Sequence, residues 1–117
     1  MEEFGLDRDG GEILPGTPVT ARDRYFRLIL KTIGDSAQAG SPIAGCNFWG
    51  WGGEAVAKHP DGMWRIGDPF MCDPPHEPQG RNSIFLSDTS TLRIIRDSAT
   101  KSMRLGTVDS PMVKPSM

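Results

Sequence analysis

Apolar and polar positions alternate between two periods along this chain, and the switches between them mark its elements. Tyr25, Phe26, Ile29, Leu30 and Ile33 fall at helical spacing, one apolar stripe on a helix spanning about Ala21 to Gly34. Arg22, Arg24, Arg27 and Lys31 lie largely off that stripe. Thr20, with Asp23 three residues later, supplies an N-cap and an acidic first turn. After a break at Asp35–Pro42, Ile43 to Trp49 forms a short, mostly apolar run suited to a buried parallel strand. Residues 1–5 read as the end of an earlier strand, and 6–20 as a loop. Asp88 to Thr91 offers caps for a second helix, whose apolar face is Leu92, Ile95 and Met103. From Leu105 the chain is polar, and a disordered tail is expected over 104–117.

The order is strand, loop, helix, strand, long loop, helix. Alternating strands and helices predict an α/β fold, a parallel sheet with helices outside. Two strands do not make a stable sheet of that kind, so the pattern reads as part of a larger domain. The long loop after Trp49 covers nearly forty residues rich in Gly and Pro. Loops of that length inside compact domains are usually functional.

Composition narrows the function. The chain has 117 residues, with 13 basic and 15 acidic side chains and a net charge of −2. That balance gives no pull toward nucleic acid or an anionic membrane. No apolar run exceeds four residues, too short to span a bilayer. The acidic opening residues do not read as a signal peptide. Cys46 and Cys72 fit either one disulfide or two buried thiols. They are poorly placed to pair if Cys46 faces the helices and Cys72 sits in the loop. Cys72-Asp-Pro-Pro-His76 is no known zinc spacing, and neither a metal nor an organic cofactor is expected.

Three segments carry the candidate chemistry. They are Glu2-Glu3-Phe4-Gly5, then Gly45 through Gly53 with Trp49 and Trp51, then Asp73-Pro74-Pro75-His76-Glu77-Pro78-Gln79-Gly80-Arg81-Asn82-Ser83 followed by Ser87-Asp88-Thr89-Ser90-Thr91. In this order they resemble the endo-β-1,4-mannanase branch of glycoside hydrolase family 5, over residues 1 to about 98. The resemblance implies the C-terminal part of a TIM (β/α)8 barrel: strand 7, helix 7, strand 8, a long loop and helix 8. Residues 1–103 would belong to it.

The family's reaction implies roles for these residues. A retaining glycosidase uses two carboxyl groups, a nucleophile and an acid/base. By resemblance the nucleophile is Glu3. Strand alternation agrees that one of two adjacent glutamates faces the site, leaving Glu2 toward the helix layer. Trp49 resembles the tryptophan beneath the sugar at the cleavage point, where an indole face packs on the apolar face of a pyranose. Asn47 shares the Trp49 face by alternation, while Ala44, Cys46 and Phe48 face the helices. Trp51, Glu54 and His76 are further substrate-binding candidates, and Trp64 is either a subsite wall or a loop anchor.

The family's acid/base Glu follows an Asn at the end of strand 4, and neither Glu54 nor Glu77 matches it. The expectation is therefore that this polypeptide alone does not hydrolyse β-mannan, its expected partner, and needs the remainder of the barrel. The parent enzyme is expected outside the cell or in the periplasm, given a polymeric substrate. The competing reading is a non-catalytic polysaccharide-binding module with a tryptophan platform, and Glu3 is the residue that separates the two.

Overall fold

The computed structural model describes residues 3–42 and 45–109, with side chains through Met103. Strand β1 (Glu3–Phe4) pairs in parallel with β2 (Asn47–Phe48), placing Glu3 beside Asn47 and Phe4 beside Phe48. Helix α1 (Thr20–Gln38) connects them, the crossover that two adjacent parallel strands require. Strand β3 (Trp51–Gly53) pairs in parallel with β4 (Ile84–Phe85), with a bulge between Trp51 and Gly53. Helix α2 (Thr89–Asp109) follows and packs against α1.

The core lies between the β1–β2 pair and the two helices. Phe4, Phe26 and Ile84 are buried at its centre. Phe26 meets Phe4 edge-on at 4.8 Å between ring centroids, a favoured aromatic geometry. Tyr25, Ile29, Leu30, Cys46, Phe48, Leu92 and Ile95 pack around them.

Several expectations are corrected. Helix α1 begins at Thr20 itself, so that residue is no N-cap. Asp9, from the preceding loop, caps the helix instead: its carboxylate accepts the Thr20 and Ala21 amides at 3.0 and 3.1 Å. The Ala21 bond outweighs desolvation and, with Thr20, holds the Asp9 carboxyl below its usual range. Arg22, expected off the apolar stripe, is fully buried. Met103 is 73% exposed and stands outside the core. Helix α2 runs to Asp109, past the boundary at 103, because polar residues continue a helix once packing has nucleated it. Residues 110–117 of the expected tail lie outside the described residues, as do Glu2 and the Ile43–Ala44 start of the expected strand. The long segment after Trp49 is not strandless, since it holds β3 and β4.

Candidate active site at the strand ends

Glu3 and Asn47 are register partners, both exposed, while Phe4 and Phe48 point into the core. Neighbours in register on parallel strands project the same way, so Glu3 and Asn47 share the open face. The chain then leaves β2 tightly held. The Trp49 amide donates to the Phe4 carbonyl at 2.7 Å, and the Trp49–Gly50 peptide is cis. Trp49 and Trp51 are 40% and 51% exposed. An indole left this open offers a large flat apolar surface on a well-held backbone.

The glycines between and beside the tryptophans are there for contact. A Cβ on Gly50 would sit 2.8 Å from the Cys72 Cβ. A Cβ on Gly52 would sit 2.7 Å from the Ser83 Cβ and 3.2 Å from the Phe85 ring. On the other side, a Cβ on Gly5 would lie 2.6 Å from the Trp49 carbonyl. The ribbon Trp49–Gly53 therefore lies flush against the 72–85 segment. Gly52→Ala should cost about 1–3 kcal/mol by overpacking. Urea unfolding checks this, and adding Ser83→Gly in the same chain should recover most of the loss.

The backing segment is rigid for identifiable reasons. Asp73 is buried and accepts the Gly80 amide at 2.8 Å and the Asn82 side chain at 2.8 Å. Gln79, also buried, donates to the Asp73 carbonyl at 2.8 Å and accepts from the Met71 amide at 3.3 Å. Cys72 and Ser83 are 3.1 Å apart, sulfur to hydroxyl. Burial pushes the Cys72 thiol up to about 11, so it stays protonated at neutral pH. Cys46 and Cys72 are both free.

Beneath the site, Arg8 and Arg22 are buried against Asp88. Arg8 reaches both carboxylate oxygens at 2.7 Å, and the Asp88 carboxylate also accepts the Phe85 amide at 2.8 Å. Arg22 donates to the Leu6 and Ser83 carbonyls at 3.0 and 2.9 Å. Asp23, early in α1, accepts the Ser90 and Thr91 hydroxyls at the start of α2. These bonds fix strand β1, the backing segment and both helix starts as one unit. Asp88, in the expected Asp88–Thr91 cap, stands directly before α2 and its carbonyl accepts the Leu92 amide at 3.0 Å, while its carboxylate is engaged by Arg8 and Phe85. Arg8 sits between Asp7 and Asp9 in a loop, and no local signal in the sequence marks it as buried.

Glu54 and His76 stand apart from this arrangement. Glu54 is exposed on the turn after β3, and the His76 side chain is 80% exposed with Nε2 3.8 Å from Glu77. Among the described residues, no hydrogen bond ties either to the strand-end group. Trp64 stacks on Phe70 at 4.7 Å, and its indole N–H donates to the Asp68 carbonyl at 2.8 Å, which anchors the loop. Asp68 also takes a 2.9 Å contact from His59. Among the described residues, no group of three His, Cys, Asp or Glu side chains is placed to hold a metal ion.

The family model described as GH family 5 beta-mannosidase-like matches residues 1–107. The glycoside hydrolase family 5 mannosidase from Rhizomucor miehei is similar in structure, with a TM-score of 0.76 and 34% identity over 90% of this chain. A Glu-to-Ala mutant of it in complex with mannosyl-fructose aligns at 0.75 and 33%. A second Glu-to-Ala mutant aligns at 0.76 and 33%. The chain spans 26% of the length of these solved structures. No curated protein matches it.

Proposed function

The chain belongs to the GH family 5 beta-mannosidase-like proteins, and from that premise we propose that it carries the nucleophile side of a retaining β-mannoside hydrolase site. In this reading β1 and β2 are strands 7 and 8 of the barrel, and α1 and α2 are helices 7 and 8. The observation that carries it is the register of Glu3 with Asn47 on the open face, two residues before the exposed Trp49. Barrel enzymes place their chemistry at the C-terminal ends of the strands, where these residues fall.

The Glu3 carboxylate attacks the anomeric carbon as the bond to the leaving oxygen breaks. A second carboxyl group, from elsewhere in the enzyme, gives that oxygen its proton. Water, deprotonated by the same second group, then displaces Glu3 and restores it. One carboxylate cannot serve both faces of the anomeric carbon, so the 117 residues alone hydrolyse nothing. Trp49 floors the sugar at the cleavage point and Asn47 binds a hydroxyl beside it. Trp51 extends the floor toward the neighbouring sugar. Two aromatic surfaces in sequence suit an internal stretch of β-1,4-mannan, so endo cleavage is the finer reading. Mannosyl-fructose, bound by a Rhizomucor miehei mutant, supports a mannosyl sugar as the ligand of the related site.

The test uses residues 1–107 grafted in place of the matching segment of the Rhizomucor miehei mannosidase. Proton NMR of mannohexaose digestion should show β-configured new reducing ends first, with mannobiose and mannotriose among the early products. An α-anomer at first appearance would remove the retaining mechanism. Mannose as the sole early product would remove endo cleavage. The exposed tryptophans would equally suit a binding module. That alternative predicts sugar binding that does not change when Glu3 is replaced and no turnover in any graft.

A further inference from the structure

We propose that Asp73 is a positioning residue for the sugar platform, acting on the Trp49–Trp51 ribbon through Asn82 and the Gly50 backbone. This rests on the reading of that ribbon as the substrate floor. Asp73 is buried and is itself assigned no contact with sugar. Its carboxylate accepts the Gly80 amide at 2.8 Å, the Asn82 amide at 3.2 Å and the Asn82 side-chain N–H at 2.8 Å. Asn82 is thereby gripped at both its backbone and its side chain. Its carbonyl accepts the Gly50 amide at 3.3 Å, and the Gly50 carbonyl accepts the Ile84 amide at 2.8 Å. Gly50 is the residue between the two tryptophans, so its peptide groups set how both indoles stand.

A buried carboxylate is costly unless its oxygens are met by donors. Asp73 meets this with three N–H groups, all from the turn that holds Gly50. The residue before it, Cys72, forms the surface on which Gly50 rests. One segment thus supplies both the grip and the bed of the ribbon. The Trp64 ring has its own anchors, the Asp68 carbonyl and the Phe70 ring. Its loop meets the Asp73 turn only through backbone, where the Gln79 amide donates to the Gly62 carbonyl at 2.7 Å, a bond the Asp73 carboxylate does not make. Loss of the Asp73 carboxylate should free the first two tryptophans and spare the third.

The full chain, labelled with 5-fluorotryptophan, gives three fluorine resonances, assigned by single Trp→Phe changes. In Asp73→Ala the Trp49 and Trp51 signals should shift or broaden while Trp64 keeps its position. Mannotriose, titrated as the probe, should bind roughly ten- to a hundredfold more weakly, the scale of an ångström-sized misplacement. Unmoved Trp49 and Trp51 signals in Asp73→Ala overturn the proposal. If that variant unfolds, shown by Trp64 moving too, Asn82→Ala replaces it, since it removes only the side-chain bond. A smaller displacement of the same two signals is then expected, and none overturns the proposal. If mannotriose leaves the wild-type Trp49 signal unmoved up to its solubility limit, the platform reading itself fails, whatever Asp73 does.

Discussion

Turnover in the grafted enzyme should fall about a thousandfold or more when Glu3 becomes alanine, a loss of roughly 4 kcal/mol in transition-state stabilisation. Substrate binding should survive. The nucleophile's bond to the anomeric carbon exists only along the reaction, whereas the tryptophan floor and Asn47 act on the ground state as well. The kcat should therefore collapse with KM nearly unchanged or lower. A small anion such as azide should restore part of the turnover on an activated aryl β-mannoside. It enters the space left by the carboxylate, attacks the same face of the sugar and leaves an α-mannosyl azide. A variant that keeps near-normal kcat would take Glu3 out of the mechanism.

The largest loss of stability should come from Asp88→Ala. Asp88 is the anion shared by two fully buried guanidinium groups, Arg8 at 2.7 Å and Arg22 at 3.6 Å. Removing it leaves both cations away from water without a counter-charge, a change that costs about 3–5 kcal/mol. Domains have only about 5–15 kcal/mol in total, so the variant should be near or past its limit. Urea unfolding followed by circular dichroism measures this. A midpoint close to wild type would mean the cluster contributes little.

The same cluster sets a pH dependence. Desolvation pushes the Asp88 carboxyl up, but the bonds from Arg8 and the Phe85 amide, with the charges of Arg8 and Arg22, outweigh it and hold it below the usual range. A carboxyl whose folded value lies below its unfolded value stabilises the fold above the unfolded value, about 3.9. That contribution is lost as pH falls through the folded value. Asp9, Asp61 and Asp68 are shifted in the same direction. The unfolding midpoint should thus fall in acid, and Asp88→Ala should flatten that fall. Arg22 moves oppositely: burial and the neighbouring Arg8 disfavour its charge, and Asp88 restores part of it.

What sequence by itself determined here was local and periodic. The stripe from Tyr25 to Ile33 is a helix because apolar side chains at that spacing can be buried only on a helix face. Phe4 and Phe48 face inward, and Glu3, Asn47 and Trp49 outward, because a strand's side chains alternate whatever the surroundings. The order of motifs identified the family, which the comparisons then placed at glycoside hydrolase family 5. Tertiary structure alone decided the rest. Strand β3, with two glycines in three residues, has almost no strand propensity and exists because β4 arrives beside it from thirty residues on. Arg8, Arg22 and Asp73 look like ordinary surface charges in the string. Their burial depends on partners 59 to 80 positions away for the arginines, and on a turn closing around the aspartate. A charge can enter a core only where donors and counter-charges converge in three dimensions, and that convergence has no period along a chain.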